Sequence, residues 1–377
     1  MLTLYSALCA YIGIRLFGFT SFFLPHVKIP VFWLPYVLLC YSFILVYILR
    51  LGRLSILRQI SEYWIAAFVY LLLPLALFDI VRLVFFLYNK NTFSPGFYIT
   101  GIGAAIVLCT IIIVTGSFHA RSVKTVNYQL SINKQGKDLR IALISDIHIS
   151  PTVNRRWIAR IVDIINNAQP DIVFIAGDIF EGDLDAVKDM PDIITELKRI
   201  NAPLGVYACL GNHDVDRKIV FKGGTNERIV DTLRQANIAV LEDEVLTIGE
   251  NIYLAGRRDP HPIGMKSSRL PIKELLKNLD RSRTIIVLEH QPTEFPKAEE
   301  AGADLILCGH THAGQFFPGN LFTQNIFKRA GAAHYGHWQG KTMQAVVTSG
   351  AGIWGPPVRV ASNSEVAIID IGFVPVS

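Results

Sequence analysis

Four long apolar runs occupy the first third of the chain, at residues 3–24, 31–49, 63–88 and 99–118. Each reaches the roughly 18–20 residues that a helix needs to cross a bilayer. Short segments with proline, glycine or charged residues separate the runs. A soluble core rarely contains four such runs in series, so we expect residues 1–118 to form a four-span transmembrane domain and the protein to be a multi-pass membrane protein.

The distribution of charge separates this region from the rest of the chain. The whole net charge of +5 lies in residues 1–118, because residues 119–377 contain as many acidic as basic side chains. A neutral C-terminal region gives no electrostatic indication of nucleic-acid binding. We therefore expect the membrane, and no nucleic acid, as a partner.

Lysine and arginine are concentrated in two of the segments that flank the apolar runs. The basic residues after the second run are Arg50, Arg53 and Arg58, and those after the fourth run are Arg121, Lys124, Lys134 and Lys137. Lys28 and Lys90 are the single basic residues of the other two links. Since positive segments stay on the cytoplasmic side, this bias predicts a cytoplasmic C-terminal domain.

Beyond a linker at residues 119–137, the pattern over residues 138–377 changes to short β-branched runs that alternate with amphipathic stretches. Such alternation is typical of a layered α/β fold. Five of the predicted strands end in Asp, Asn or His, which come within two residues after RIALIS, DIVFIA, GVYACL, TIIVL and DLILC. Open α/β sheets bind ligands beyond the carboxyl ends of their strands, so these side chains are expected to converge.

The residue types and spacings at these strand ends suit metal ions. Residues i and i+2 of an extended segment point to the same side, which allows Asp146 with His148, and His310 with His312, to reach one ion together. Mixed imidazole and carboxylate ligands favour Mn, Fe, Zn or Ni over Ca. The candidate ligands are too many for one tetrahedral ion and predict two divalent ions: Asp146, His148, Asp178, Asn212, His290, His310 and His312.

The series D-x-H, G-D, G-N-H-D, H and G-H-T-H resembles the calcineurin-like metallophosphoesterase superfamily, over about residues 138–377. The segments GHTHAGQ and GIWGPPVRV are similar to its bacterial membrane-anchored branch, although Ala313 stands where that branch usually has glycine. The resemblance implies a β-sandwich core flanked by helices.

The resemblance also implies residue roles. Asp146, His148, Asp178 and His312 would hold the first ion, and Asp178, Asn212, His290 and His310 the second, with Asp178 bridging. His213 would not bind metal but would protonate the leaving group, a role typically worth about 10²–10⁴-fold in rate. Asp214 would orient the imidazole of His213.

These observations predict a membrane-anchored hydrolase of phosphodiester or pyrophosphate bonds, with a lipid-linked or nucleotide-linked substrate. Two alternatives remain open, namely a phosphomonoesterase or phosphoprotein phosphatase with manganese or another ion at the same site, and a non-catalytic membrane scaffold. Arg257, Arg258 and Arg359 are either phosphate ligands or ordinary surface charges.

Overall fold

The computed structural model describes residues 2–48, 55–90, 93–182, 184–215, 226–263 and 269–374. It divides into two compact units, one formed by residues 1–118 with 355–358 and the other by residues 119–354 with 359–377. The domain boundaries inferred from the sequence stay a prediction, apart from one correction below.

The first unit is helical. Its helices are α1 Leu2–Phe23, α2 Ile29–Cys40, α3 Ser42–Ile48, α4 Ser55–Asn89 and α5 Pro95–Arg121. Among the described residues, α1, α4 and α5 are the helices that are long and apolar enough to cross a membrane.

The second apolar run does not form one long helix, which corrects the expected count of four spans. The helical conformation ends at Cys40, because Tyr41 leaves it with φ −101° and ψ 6°. The 12-residue helix α2 is about 18 Å long, against about 30 Å for the hydrocarbon core of a bilayer. The run is therefore divided between α2 and α3.

Arg15, Asp79 and Arg82 form an ion cluster that joins α1 to α4. The Asp79 carboxylate accepts hydrogen bonds from Arg15 Nε at 2.9 Å, Arg82 Nη1 at 2.8 Å and the Tyr11 hydroxyl at 2.6 Å. Arg15 also donates to the Tyr98 hydroxyl of α5 at 3.2 Å. Charges on apolar helices are costly unless they are paired, so this network explains how α1 tolerates Arg15.

The second unit contains two six-stranded sheets, ordered β1-β12-β2-β3-β4-β5 and β10-β11-β9-β8-β7-β6. The strands are β1 Lys124–Ile132, β2 Leu139–Ile144, β3 Ile172–Ala176, β4 Val206–Cys209, β5 Ala239–Val240, β6 Glu244–Ile248, β7 Ile252–Gly256, β8 Thr284–Leu288, β9 Leu305–Cys308, β10 Gly336–Gln339, β11 Gln344–Val347 and β12 Glu365–Phe373. Strand β1 lies within the segment expected to be a linker. It pairs in parallel with β12 over its whole length, which corrects that expectation.

Helices cover the outer faces of both sheets. They are α6 Arg155–Ala168, α7 Met190–Leu197, α8 Glu227–Gln235, α9 Ile272–Leu276 and α10 Phe295–Ala301. A further helix, α11 Gly319–Arg329, has no buried residue. One apolar cluster lies between the sheets and includes Leu143, Phe174 and Leu307. Two further clusters pack α6 and α8 on the first sheet and α9 and α10 on the second. This is the expected sandwich flanked by helices.

The topology brings the five polar strand ends together. Strands β2, β3 and β4 are parallel neighbours in the first sheet, and β8 and β9 are parallel neighbours in the second. The carboxyl ends of parallel strands lie at one edge of a sheet, so each sheet supplies its polar residues at a single edge.

Candidate metal centre

One group of candidate ligands consists of Asp146, His148 and His312, whose ligand atoms all lie within 4.8 Å of one another. His148 Nε2 is 3.2 Å from His312 Nε2, and His312 Nε2 is 3.4 Å from Asp146 Oδ1. All three residues are buried. The first and last of the five strand ends therefore contribute to the same group.

A second group consists of Asp178, His290 and His310, which satisfy the same distance criterion. His290 Nε2 is 3.1 Å from Asp178 Oδ2 and 3.2 Å from His310 Nδ1. Asn212 joins this group, because its Oδ1 is 3.1 Å from His290 Nε2. Every residue that the sequence analysis proposed as a metal ligand thus lies in or beside one of the two groups.

Asp178 connects the two groups through one oxygen atom. Its Oδ2 lies 3.7 Å from His148 Nε2 and 3.1 Å from His290 Nε2. The other oxygen, Oδ1, accepts a hydrogen bond from the backbone N–H of His213 at 2.8 Å. A carboxylate held in this way can contact ions on both sides.

Unusual backbone geometry aims these side chains. Asp146, His148, Asp178, His310 and His312 all have positive φ, between 50° and 72°. Left-handed conformations cost non-glycine residues energy and cluster at functional sites.

Ala313 is also left-handed, with φ 49° and ψ 31°. This explains why the related branch usually has glycine at the same position, since glycine adopts that conformation without a steric penalty.

Two of the glycines at the strand ends are required by close packing rather than by a turn. A Cβ atom on Gly211 would collide with the Asp178 carboxylate, and one on Gly309 with Ser145 and the Asp146 carboxylate. The third such glycine, Gly177, combines crowding with a positive φ of 77°. Gly211 and Gly309 do not have a positive φ, so the close approach of neighbouring atoms is what requires glycine there.

Glu181 is a residue of the site that the sequence analysis missed. Its carboxylate accepts a hydrogen bond from His148 Nδ1 at 2.7 Å and lies 3.3 Å from His213 Nδ1. The sequence signal is its position three residues beyond Asp178, in the loop after β3.

Asp214 has a different role from the one expected. Its two carboxylate oxygens accept hydrogen bonds from the backbone N–H groups of Phe180 and Gly211, both at 2.8 Å. Burial and the nearby charge of Asp178 raise the pKa of Asp214 to about 6. Asp214 thus ties the loop after β3 to the loop after β4, whereas the carboxylate beside the His213 ring belongs to Glu181.

The electrostatics of the site keep two imidazoles neutral. Burial lowers the pKa of His310 to about 3, with the charge of His290 acting in the same direction, and burial holds the pKa of His312 well below its ordinary value. Burial also opposes a charge on His290, but the Asp178 carboxylate outweighs it and raises the pKa to about 10. Neutral imidazoles keep the lone pair that metal binding requires.

Two of the three arginines considered as phosphate ligands, Arg257 and Arg359, are not available for that role, whereas Arg258 is a half-exposed side chain 3.8 Å from Glu242. Arg257 is 1% exposed and pairs with Glu289 at 2.7 Å and Glu294 at 3.1 Å. Arg359 is fully buried and donates at 2.8 Å to the carbonyls of Ser349 and Gly352. Both alternatives from the sequence are therefore wrong for Arg257 and Arg359, since these side chains are neither phosphate ligands nor surface charges.

One polar atom indicates that the cluster fits a cation. Asp146 Oδ1 is completely buried and has no hydrogen-bond partner among the described residues. Leaving a buried charged acceptor unpaired is costly, and a metal ion removes that cost. Nitrogen ligands from four histidines with carboxylate and amide oxygens suit the transition metals inferred from the sequence.

The family model for calcineurin-like phosphoesterases matches residues 139–314. An uncharacterized metallophosphoesterase of Campylobacter jejuni is 30% identical over 68% of this chain and 65% of its own length. One from Aquifex aeolicus is 31% identical over 63% of this chain and 86% of its own length. A Danio rerio transmembrane protein with metallophosphoesterase domain is 30% identical over 70% of this chain and 61% of its own length. The chain thus spans less than two thirds of the Campylobacter and Danio relatives.

Proposed function

The chain belongs to the calcineurin-like phosphoesterase family, and from that premise we propose that it is a membrane-associated, metal-dependent hydrolase of phosphodiester or pyrophosphate bonds. The observation that carries the proposal is the pair of adjacent ligand groups that share the Asp178 carboxylate. The unpartnered Asp146 Oδ1 supports it, because a buried carboxylate oxygen without a partner is costly and a bound cation removes that cost.

Each ion has its own ligand set in this proposal. The first set is Asp146, His148, Asp178 and His312, and the second is Asp178, Asn212, His290 and His310. When bound, two such ions supply a polarised nucleophile and a clamp on the attacking and leaving oxygens of an in-line displacement. The Asp178 carboxylate belongs to both sets and so would fix their separation. The backbone N–H of His213 donates a hydrogen bond to Asp178 Oδ1, which holds this side chain in its rotamer.

His213 is the proposed general acid. It is partly exposed, its ring lies 5.1 Å between centroids from the ring of His148 in the first ligand group, and its Nδ1 lies 3.3 Å from Glu181 Oε1. This contact keeps a proton on Nδ1 and presents Nε2 to the leaving oxygen. The half-exposed Trp354 ring, 6.1 Å from the His213 ring between centroids, borders the position where the leaving group would lie.

The positions of the arginines favour a diester or pyrophosphate over a monoester. A phosphomonoester dianion carries more charge per phosphorus, and enzymes commonly match such charge with bidentate arginine. Arg257 and Arg359 are held in buried bonds to protein groups. A less charged phosphodiester group needs no such partner beyond the ions.

The basic segments support a cytoplasmic position for the second unit. In the sequence, α4 and α5 lie between Arg50 and Arg53, which are outside the described residues, and the basic residues at 121–137, while Arg58 lies in the first turn of α4. If α4 and α5 both cross the membrane, the chain returns to the side from which it started. The two positive segments then lie on the same side, whatever the number of crossings before α4. The apolar helices also favour a substrate that resides in the membrane.

The test is hydrolysis by the purified full-length chain supplied with Mn²⁺, using bis(p-nitrophenyl) phosphate and p-nitrophenyl phosphate in parallel. We expect faster turnover of the diester and loss of most activity in Asp178→Asn. Preference for the monoester would favour the phosphatase alternative, and absence of turnover on a broad panel of phosphoesters would contradict the proposal.

A further inference from the structure

Helix α11 is an unusually exposed element of the second unit, since none of its 11 residues is buried. Leu321, Phe322 and Ile326 are 53%, 68% and 63% exposed, and Phe317, just before the helix, is 47% exposed. Clustered large apolar side chains at a surface mark an interaction site. The fold alone gives no reason to keep them, because they contribute little to the core.

The charge of this region identifies the kind of partner. Residues 313–338 contain no aspartate or glutamate, and Lys328 and Arg329 lie in the last turn of α11. Apolar side chains combined with basic ones are typical of helices that lie in the interface of a bilayer with anionic headgroups. Helices α1, α4 and α5 of the same chain are long and apolar enough to cross a bilayer, which would supply such an interface.

Helix α11 is connected to the candidate metal centre by a short segment. Gly314, two residues after His312, packs so closely on the first turn of α11 that a Cβ atom would collide with Asn320. The adjacent Gln315 makes two hydrogen bonds with the backbone of Trp354. Gln315 Nε2 donates to the Trp354 carbonyl at 2.8 Å, and the Trp354 N–H donates to Gln315 Oε1 at 3.1 Å. Gly314 and Gln315, which follow the proposed ligand His312, therefore position both α11 and the Trp354 ring beside His213.

We propose that α11 lies in the headgroup region of a phospholipid bilayer and that the metal centre acts on a phosphoester with an acyl or alkyl chain. The first half of this proposal, the location of α11, is supported by the exposure and the charge of that helix. The second half rests on the proposed function, because it assigns a substrate class to the same site.

The first half is tested by measuring the depth of a probe. All five native cysteines are buried, so a fluorophore can be attached selectively to Phe322→Cys in the full-length chain. The labelled protein is placed, one chain per disc, in nanodiscs of phosphatidylcholine and phosphatidylglycerol that contain lipids spin-labelled near the headgroup. The matched control is Lys277→Cys, an exposed position directly after α9.

We expect strong quenching of the probe at 322 and little quenching at 277. Equal quenching at both positions would overturn the proposal. A second preparation holds two chains per disc, and a probe at 322 that is quenched in the one-chain discs but shielded from the lipids in the two-chain discs would also overturn it, because the occupant would then be a second copy.

The second half is tested with two substrates that share one reacting group, hexadecyl p-nitrophenyl phosphate and methyl p-nitrophenyl phosphate. Replacing both Phe322 and Ile326 by serine should lower kcat/KM on the hexadecyl ester by about tenfold or more and leave the methyl ester unchanged. The control replaces the exposed polar residues Gln324 and Asn325 by serine on the same helix.

Equal losses in the two double variants, or equal losses on the two esters, would refute the assigned substrate class. Absence of activity on both esters in the unaltered protein would refute the proposed function instead. The quenching result does not depend on activity, so the two failures are distinguishable.

Discussion

Replacing Glu181 by glutamine tests how the metal ligands and the proposed acid are coupled. The carboxylate contacts Nδ1 of His148, a proposed ligand, at 2.7 Å and Nδ1 of His213 at 3.3 Å. Glutamine keeps the size and one acceptor oxygen but removes the charge, and its amide nitrogen can only donate. One of the two imidazoles must therefore lose its acceptor.

The two distances set the size of the expected effects. A hydrogen bond to a charged group contributes about 1.5–3 kcal/mol and a neutral one about 0.5–1.5 kcal/mol, so loss of the charge costs about 1–1.5 kcal/mol per contact. Mutating the hydrogen-bond partner of a metal-bound histidine typically lowers metal affinity by about 10–100-fold. Because Glu181 makes a short contact to His148, we expect a loss of this size in Glu181→Gln. The longer contact to His213 predicts a further loss of about tenfold or less in kcat at saturating metal.

The assay is a Mn²⁺ titration of activity on an alkyl phosphodiester, followed by a double-mutant cycle at saturating Mn²⁺. If Glu181 acts through His213, the Glu181→Gln, His213→Ala double variant is as slow as His213→Ala alone. The exposed Glu250→Gln serves as a charge-matched control. Additive losses in the cycle, or an unchanged Mn²⁺ requirement in Glu181→Gln, would refute the reasoning.

Three further predictions concern the acid, the packing and the topology. His213→Ala should keep its metal and lose about 10²-fold or more in kcat on alkoxide leaving groups but much less on nitrophenolate, and equal losses would exclude the acid role. Gly211→Ala should lower metal content and activity because the new methyl group displaces the Asp178 carboxylate, whereas Gly319→Ala, whose Cβ has room at 3.5 Å from its nearest neighbour, should behave like the unaltered protein in the same assays. A reporter fused to the C-terminus should be active in the cytoplasm, and activity on the opposite side would contradict the proposed topology.

Much of the second unit follows from local patterns. The runs of β2, β3, β8 and β9 are almost wholly apolar and buried, with Arg140 of β2 as the exposed exception, and the polar residues after them mark the edge where ligands bind. Strand β1 lies in the segment interpreted as a linker, although its alternation of apolar and polar residues is typical of a half-buried strand. Its identity as a strand depends on pairing with β12, at the far end of the chain.

The site shows the same division between local and long-range information. The proposed ligands could be found because each lies within four residues after the end of an apolar strand. The exchange of roles between Asp214 and Glu181 could not, because it depends on which loop each carboxylate faces after folding. Similarly, hydropathy alone cannot detect the break at Tyr41, since the residues on both sides of it are equally apolar.

The shared Asp178 carboxylate is the central claim, and metal stoichiometry tests it most directly. Inductively coupled plasma mass spectrometry is applied to the full-length chain and to Asp178→Asn after equilibration with Mn²⁺ and removal of free metal. The account predicts about two equivalents per unaltered chain and loss of metal from both sites in the variant, because one side chain contacts both ions. One equivalent in the unaltered protein, or two retained by Asp178→Asn, would contradict it.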